Sequence, residues 1–354
     1  MSIPTKQSAV IFERSNGPLI YKTDWPVVQP KDLKPGEALV KITHSGVCHT
    51  DLHALKGDWP LDTKLPLVGG HEGVGIIVAI GAGTTTERKV GERVGIKWLA
   101  DSCLDCEVCR NGQEATCSKA VCSGFAVDGT FQQYGVSYVK HLTPVPEGLD
   151  PTQAAPILCA GVTVWKAIKQ SNTNPGDYIL ISGAGGGLGH LALQYAAAIG
   201  LRPIAVDTGE EKRKLCMSLG AETFIDFRQS KDLKADIRAA SGGLGPHAAV
   251  IASSAAAAYN DALEYLRNHG TLVAVGLPAD SYIQANVFWT VFRALRIVGS
   301  YVGNRQDAIE ALDFAARGKV KAIIKVQPLR SLAEVYEGME KGTIGGRIVL
   351  ETGA

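Results

Sequence analysis

The stretch Tyr178-Ile-Leu-Ile-Ser-Gly-Ala-Gly-Gly-Gly-Leu-Gly-His-Leu-Ala-Leu-Gln-Tyr-Ala-Ala-Ala-Ile199 decides the fold of this chain. A run of aliphatic residues leads straight into a glycine-rich turn, and the apolar residues after Gly189 predict that a helix begins there. Glycines permit a tight turn and let a pyrophosphate approach the backbone, where free amides at the helix N-terminus stabilise its charge. The stretch therefore predicts a dinucleotide-binding turn, although the same glycines also fit a plain strand-to-helix corner.

Asp207 strengthens the dinucleotide interpretation. It ends the next β run, about 20 residues beyond the turn, where an acidic side chain accepts hydrogen bonds from the adenosine ribose. Its negative charge would repel a 2′-phosphate, so it favours NAD over NADP. The alternative is that Asp207 caps the following helix.

The alternation of strand and helix continues around this turn. Short β-branched runs separated by helix-length segments predict a parallel sheet covered on both faces, that is, a doubly wound α/β domain over residues 155–295. The predicted strands are Tyr178–Ser182, Pro203–Asp207, Thr223–Asp226, Ala248–Ile251, Thr271–Val275 and Ile297–Gly299.

The flanking sequence has a different pattern. Short runs such as Glu37–Ile42 and Val74–Ile80 between Gly-, Pro- and Asp-rich turns predict an irregular β-rich domain before residue 150. Helices over Arg305–Arg317 and Leu332–Lys341 and a closing strand, Arg347–Leu350, are predicted at the other end. The 354 residues exceed the about 250 to 300 that one core usually serves, so we expect two packed domains.

The charge balance excludes several classes of partner. Lys plus Arg number 36 and Asp plus Glu 35, which gives a formal net charge of +1. No overall basic field exists to attract nucleic acid or anionic lipid, so we expect neither nucleic acid nor a membrane as partner. The segment Met1–Ser8 shows neither a secretory nor a transit pattern, which predicts a cytoplasmic protein.

Four cysteines lie close together, at Cys103, Cys106, Cys109 and Cys117. Four thiolates on so short a loop can close a tetrahedral zinc site with no position left for water, which predicts a structural zinc. Disulfides are the alternative, but pairing cysteines three residues apart is geometrically awkward. A zinc finger that binds nucleic acid is another use, and the net acidic charge around this loop argues against it.

A second set of possible ligands is dispersed along the chain and is uninformative residue by residue. The segments that carry this set closely resemble the fungal, yeast-type zinc alcohol dehydrogenases of the medium-chain dehydrogenase family, in the same order along essentially the whole chain. The matching motifs are Gly46-Val-Cys-His-Thr-Asp-Leu-His53, Gly57-Asp-Trp-Pro60, Pro66-Leu-Val-Gly-Gly-His-Glu-Gly73, the four-cysteine loop, Leu158-Cys-Ala-Gly161 and Gly299-Ser-Tyr-Val-Gly-Asn-Arg305.

The resemblance implies a second, catalytic zinc held by Cys48, His71 and Cys159. Glu72 matches a carboxylate that lies next to the metal and can exchange with its water. Three protein ligands leave a position for water or alcohol, and an alcohol bound to zinc loses its proton more readily. The family then transfers hydride from the alcohol carbon to the nicotinamide of NAD.

The resemblance also implies a path for the proton. Thr50 would accept the hydrogen bond of the substrate hydroxyl, and the proton would pass through the cofactor ribose to His53, which faces water. Asp51 matches a residue that orients the ligand His71.

Further residues match contacts to NAD in the family. His49 and Arg347 match pyrophosphate contacts, Lys212 joins Asp207 at the adenosine ribose, and other residues flank the nicotinamide. The complete implied set is His49, Thr163, Gly183, Gly186, Gly187, Leu188, Gly189, Asp207, Lys212, Val275, Leu277, Ser300, Val302 and Arg347.

Trp59 and Trp98 match aromatic residues that line the alcohol pocket in the family. Two indoles would narrow the pocket and favour short primary alcohols such as ethanol, although either could simply belong to the core. The alternatives are a related zinc dehydrogenase acting on polyols, branched alcohols or aromatic alcohols, and a non-catalytic NAD- or zinc-binding protein.

The resemblance further implies the architecture and assembly. A GroES-like catalytic domain with both zincs would comprise residues 1–154 and 296–354, and a Rossmann domain would hold NAD over residues 155–295. The alcohol would bind in the cleft between them, and relatives of this type are commonly homotetramers.

Three features depart from the family or fit neither zinc site. His190 stands where a small residue is common, which leaves open a pyrophosphate contact or an altered pH dependence. Lys56 occupies a position where some relatives carry a further histidine. Cys122 and Cys216 are expected to be free thiols.

Overall fold

The computed structural model describes residues 3–278 and 280–353, which form two compact units. Unit 1 comprises the residues up to 159, 303–316 and those from 322 onward, and unit 2 comprises 160–302 and 317–321. Within the described ranges, no helix has the length and apolar character needed to span a membrane.

Unit 1 begins with short strands and few helices, as the turn-rich sequence predicts. Its elements up to the crossing into unit 2 are β1 (Lys6–Phe12), β2 (Ile20–Pro26), β3 (Glu37–Val47), α1 (His49–Lys56), β4 (Leu67–Val68), β5 (Glu72–Ile80), β6 (Arg93–Ile96), β7 (Leu99–Asp101), α2 (Glu107–Arg110), β8 (Val121–Cys122), β9 (Tyr134–Tyr138), β10 (Thr143–Pro144) and α3 (Pro151–Pro156).

A π turn over Ile157–Gly161 follows α3 and leads into unit 2. The elements of unit 2 are α4 (Val162–Gln170), β11 (Tyr178–Ser182), α5 (Gly189–Ala198), β12 (Arg202–Asp207), α6 (Glu210–Ser218), β13 (Thr223–Asp226), α7 (Leu233–Ala240), β14 (Ala248–Ile251), α8 (Ala256–Tyr265), β15 (Thr271–Ala274), α9 (Val287–Phe292) and β16 (Arg296–Gly299). The chain then returns to unit 1 as α10 (Arg305–Ala316), β17 (Ile324–Pro328), α11 (Leu332–Glu340) and β18 (Arg347–Glu351).

The sheet of unit 2 confirms the predicted doubly wound fold. Its six strands are all parallel, in the order β13-β12-β11-β14-β15-β16. The order reverses between β11 and β14, and ligands of such sheets bind at the carboxyl ends of the strands at this switch point. The glycine-rich turn begins directly after β11 and so lies at this switch point.

The edge strand β16 belongs to unit 2, on the other side of the predicted domain boundary at 295/296. It pairs in parallel with β15 along its whole length, from Thr271 opposite Arg296 to Ala274 opposite Gly299. The predicted division at 295/296 would separate these two strands, whereas their hydrogen bonds extend unit 2 to Val302.

The main sheet of unit 1 collects residues from distant parts of the chain. It has the order β10-β6-β5-β3-β18-β17, with β9 also paired to β3. Gly46 on β3 lies opposite Glu72 on β5, and Val47 lies opposite Ile348 on β18. The end of β3 and the beginnings of β5 and β18 therefore lie side by side at one end of this sheet, which is the edge of unit 1 referred to below.

Candidate active site

Four buried side chains from three separate segments of unit 1 converge at that edge. Cys48 follows β3, His71 and Glu72 lie where β5 begins, and Cys159 lies in the π turn. One ligand atom from each lies within 4.8 Å of those of the others, and all four side chains are buried. The Sγ atoms of Cys48 and Cys159 are 3.9 Å apart, and His71 Nε2 lies 3.2 Å from Cys159 Sγ. Two sulfurs, an imidazole nitrogen and a carboxylate form a donor set that suits Zn²⁺.

Asp51 links two of these ligand residues. Its Oδ1 accepts a hydrogen bond from His71 Nδ1 at 2.7 Å, and its Oδ2 accepts one from the Cys48 backbone amide at 2.8 Å. Burial disfavours the charged imidazole, but the adjacent Asp51 carboxylate outweighs burial, and the pKa of His71 lies well above its ordinary value. With Nδ1 engaged, Nε2 is the nitrogen directed toward the two sulfurs.

Glu72 presents an oxygen that a cation would satisfy. Its Oε1 accepts a hydrogen bond from Nη2 of the buried Arg347, whereas its Oε2 is buried without a hydrogen-bond partner. A Cβ at Gly46 would lie 1.9 Å from this Oε2, so only glycine leaves room for the carboxylate. Burial raises the pKa of Glu72 to about 7, against the opposing charge of Arg347. The orphaned oxygen beside two thiols and an imidazole fits a bound metal ion.

The two thiols of this centre differ in acidity. A hydrogen bond from the Cys159 thiol holds the pKa of Cys48 well below its ordinary value, against the effect of burial, while that bond and burial raise the pKa of Cys159. Only thiolates ligate zinc, so metal binding here would require both thiols to be deprotonated.

The second predicted centre is also assembled. One sulfur from each of Cys103, Cys106, Cys109 and Cys117 lies within 4.8 Å of the others. Backbone amides, including that of Cys106 at 3.3 Å, lower the pKa of Cys103 to about 6. Four sulfurs without an open position fit a closed, structural zinc site. Glu114, in the same loop, ties it to the start of α10. Its Oε1 accepts hydrogen bonds from the backbone amide and Nε of Arg305 at 3.0 and 3.1 Å.

A chain of ring contacts runs from the surface to the buried centre. His53 stacks on Trp59 with centroids 5.4 Å apart, Trp59 meets Trp98 edge-on at 6.0 Å, and Trp98 lies 5.1 Å from the ring of His71. Phe125 contacts both tryptophans, at 6.0 and 5.8 Å. No sequence pattern points to Phe125, because a lone aromatic residue in a turn belongs to no motif or periodicity. Trp98 therefore packs directly against a ligand residue of this centre, and Trp59 and Phe125 pack against Trp98.

The glycine-rich turn of unit 2 has the conformation that its residues permit. Gly183 adopts φ +70°, and a Cβ at Gly189 would lie 2.2 Å from the Gly183 carbonyl oxygen. Asp207 accepts hydrogen bonds from the Gly185 amide at 2.9 Å and from Lys212 Nζ at 2.7 Å. Helix α6 begins after Gly209 without a side-chain cap, so Asp207 does not serve as its cap.

His190 lies in the first turn of α5 and is fully buried. Its Nδ1 lies 2.9 Å from the carbonyl oxygen of Gly186, within the glycine-rich turn. The ring is therefore enclosed and contacts the glycine-rich turn itself.

The remaining residues predicted to contact NAD have varied surroundings. Thr163, Val275 and Ser300 are buried, and Ser300 Oγ has no hydrogen-bond partner, whereas Leu277 is 65% exposed. Val302 adopts φ +42°, a strained conformation for a β-branched residue. In unit 1, His49 is exposed and Thr50 half-buried at the start of α1. Their contacts with NAD stay predictions.

The other two cysteines take part in neither centre. Cys122 on β8 and Cys216 on α6 are free thiols, and burial raises their pKa values to about 11 and about 12. Lys56, at the position where some relatives carry a histidine, forms an ion pair with Glu340 at 2.7 Å.

Comparisons with known proteins give the family. The alcohol dehydrogenase GroES-like domain matches residues 34–147, and the zinc-binding dehydrogenase family matches residues 187–317. Alcohol dehydrogenase 1 of Emericella nidulans is 53% identical over 352 residues, 99% of each chain, and alcohol dehydrogenase 1 of Neurospora crassa is 51% identical over 99% of this chain and 98% of its own. A solved NAD-dependent alcohol dehydrogenase superposes with a TM-score of 0.87 at 28% identity, over 98% of this chain and 100% of its own. This chain, with its GroES-like and Rossmann folds, belongs to the zinc-dependent alcohol dehydrogenase family.

Proposed function

We propose that this enzyme interconverts short primary alcohols, ethanol among them, and aldehydes with NAD as the hydride acceptor. The observation that carries the proposal is the convergence of Cys48, His71, Glu72 and Cys159 around one buried point beside an aromatic ring. When bound there, zinc lowers the pKa of the alcohol hydroxyl, and NAD accepts the hydride.

The four residues of the proposed metal site would have different roles in holding the metal. Cys48, His71 and Cys159 serve as the permanent ligands, with Asp51 holding the His71 ring. Glu72 serves as the exchangeable ligand, since Arg347 engages one of its oxygens and leaves the other free. This arrangement leaves a position for the alcohol oxygen.

Proton transfer is proposed to follow Thr50 and His53. Thr50 lies half-buried in the first turn of α1, and His53, one turn later, exposes 37% of its side chain. An imidazole at the surface can accept a proton from a site kept dry for hydride transfer and release it to water.

Substrate size is proposed to be set by the indoles. Trp98 meets the ligand His71 edge-on, and Trp59 packs against Trp98. We expect bulky rings this close to the metal position to limit the substrate to a short carbon chain, which favours ethanol over branched or aromatic alcohols.

Unit 2 is proposed to bind NAD and unit 1 to carry the catalytic chemistry. The glycine turn at the switch point would receive the pyrophosphate, and Asp207 with Lys212 would receive the adenosine ribose. The solved NAD-dependent alcohol dehydrogenase of the same fold supports this choice. The other NAD contacts implied by the family are proposed as they stand in the sequence.

A cytoplasmic homotetramer is the proposed assembly. Helix α9 exposes several large apolar side chains and precedes the edge strand β16, a face of the kind that a second copy of the chain covers. These side chains are Val287, Phe288, Trp289, Val291 and Phe292. Light scattering on the purified protein measures the number of copies.

The test is the appearance of NADH absorbance when the zinc-loaded protein meets NAD and ethanol. We expect turnover that Cys48→Ser abolishes while the circular dichroism spectrum is retained. Absence of NADH in a sample with two zincs per chain would exclude the dehydrogenase activity and favour a non-catalytic role. Rates over straight and branched alcohols then test the size limit.

A further inference from the structure

Asp58 holds the ring of His53 by one nitrogen. Nδ1 of His53 lies 2.9 Å from Oδ1 and 3.0 Å from Oδ2 of Asp58, so both carboxylate oxygens face the same ring atom. Trp59, the next residue, stacks on the face of the ring at an interplanar angle of 21°. The ring is therefore held in its plane by the carboxylate and against its face by the indole.

The backbone explains how Asp58 reaches a residue in the preceding helix. Gly57 caps α1 in the left-handed conformation, with φ +63°, and its amide donates to the carbonyl oxygen of His53 at 2.9 Å. The cap reverses the chain, so that Asp58 and Trp59 fold back over the last turn of the helix. A Cβ at position 57 would lie 2.8 Å from Ser15 Oγ and would add strain to this turn.

The hydrogen bond determines which nitrogen of His53 carries the proton in the neutral ring. An ionised carboxylate only accepts hydrogen bonds, so Nδ1 must be the donor. The proton of the neutral ring is then on Nδ1, and Nε2 carries the free electron pair. If Asp58 were absent, no carboxylate would favour the Nδ1–H tautomer over the Nε2–H tautomer.

We propose that Asp58 is a positioning residue that fixes the tautomer of His53 and thereby makes Nε2 the atom that takes up the proton of the alcohol. The inference rests on the proposed relay through His53. When Nε2 accepts that proton, the ring becomes an imidazolium with Nδ1–H still donated to Asp58, and Nε2 then releases the proton to water. No other bond changes.

The competing interpretation is an ordinary surface ion pair. The side chains of His53 and Asp58 are 37% and 44% exposed, and exposed pairs contribute only about 0.2 to 1 kcal/mol to stability. If the contact were only such a pair, removing Asp58 would change neither the tautomer of His53 nor the reaction rate. The two interpretations therefore differ in a spectroscopic observable.

Nitrogen NMR of the zinc-loaded enzyme with ring-labelled histidine reads the tautomer directly. His53→Gln identifies the His53 signals by their loss. At a pH where the ring is neutral, we expect Nδ1 of the wild type to resonate as a protonated nitrogen and Nε2 as an unprotonated one. Asp58→Ala should shift the populations toward the Nε2–H tautomer, and Asp58→Asn should shift them in the same direction, because its amide NH2 can donate to an unprotonated Nδ1 and the acceptor-only carboxylate is lost. Asp62→Asn removes an exposed carboxylate from the same segment and serves as the control.

Kinetics supplies the second readout. Asp58→Ala should lower kcat/KM for ethanol about two- to fivefold, the range that an exposed pair supports, with the KM for NAD unchanged. Asp58→Asn should lose a similar amount, since it no longer enforces the Nδ1–H tautomer, and Asp62→Asn should match the wild type.

The outcomes separate the two proposals. An Nε2–H tautomer in the wild type, or the same tautomer in wild type and Asp58→Ala, overturns the role of Asp58 whatever the rates are. Wild-type turnover in His53→Gln overturns the relay itself, which belongs to the proposed function. Loss of turnover in His53→Gln with a tautomer shift in Asp58→Ala supports both.

Discussion

Asp51 Oδ1 accepts a hydrogen bond from Nδ1 of His71 across 2.7 Å, and both side chains are buried. The other carboxylate oxygen of Asp51 holds the backbone amide of Cys48. One side chain thus sets the orientation of an imidazole just before β5 and of the backbone just after β3 that carries a thiol.

Asp51→Asn should therefore weaken metal binding without removing a ligand. Loss of the carboxylate beside a ligating histidine lowers metal affinity or activity about 10- to 100-fold in comparable sites. Competition with a chelator, followed by zinc analysis, measures the affinity. Asp24→Asn, an exposed position on β2, is the control and should bind zinc as the wild type does. Equal zinc affinity in Asp51→Asn would contradict the proposed role of Asp51.

Cys106→Ala should act on stability more than on the rate of the folded enzyme. The four-cysteine loop has few apolar residues to bury, so its order would depend on the metal. We expect Tm to fall by roughly 5 °C or more, as measured by differential scanning calorimetry. Cys122→Ala removes a thiol that belongs to neither metal centre, so its Tm should fall much less. A lost activity with unchanged melting would contradict a structural role for this loop.

Asp207→Gly should relax the choice of cofactor. The carboxylate lies at the end of β12 and holds the Gly185 amide and Lys212. Removing its charge abolishes the repulsion of a 2′-phosphate, and repulsion between like charges in contact is worth several kcal/mol. The ratio of kcat/KM for NADP over NAD should rise about a hundredfold. Asp226→Asn changes the acidic residue that ends the neighbouring strand β13, and it should leave that ratio unchanged.

His141 should make stability depend on pH. The side chain is buried, its Nε2 lies 3.0 Å from Ser102 Oγ, and burial together with the positive charges of Lys97, Arg305 and Lys140 lowers its pKa to about 3. In the unfolded chain this histidine takes up a proton near pH 6.5. Its contribution to the free energy of unfolding is therefore fully present above that pH and is lost as the pH falls from 6.5 toward 3.

His141→Asn removes this proton uptake, so the fall of Tm between pH 6.5 and pH 5 should be shallower than in the wild type. Thermal melts at a series of pH values measure the slope. His269→Asn replaces an exposed histidine and should keep the wild-type slope. An unchanged slope in the His141 variant would show that another group controls the acid transition.

The fold of unit 2 was predictable because its information is local. Parallel strands that are buried on both faces appear as continuous aliphatic runs, and the predicted strands match the observed ones within a residue or so at their ends. The strand β3 was predicted to end at Ile42 but continues to Val47. Its last residues pair with β5 and β18, and pairing across such separations leaves no local pattern.

The proposed site depended on a different kind of information. Nothing in the spacing of Cys48, His71 and Cys159 predicts that they meet, and only the family resemblance suggested it. The contact between Glu72 and Arg347 joins residues far apart in sequence, and the contact of Asp58 with His53 depends on a helix cap. Such contacts follow from sheet register and turn geometry, which a single sequence does not display.

The T-shaped contact between the Trp98 indole and His71, at 5.1 Å between ring centroids, gives the enzyme an intrinsic fluorescent reporter of its metal site. Indole emission responds to nearby charge and to quenching groups, so filling or emptying the metal position alters the light that this residue emits. The chain has five tryptophans, and Trp59 packs against Trp98 in this ring cluster. Intrinsic fluorescence of a Trp98→Phe variant compared with the parent would therefore isolate a local optical signal for metal loading, with no label attached.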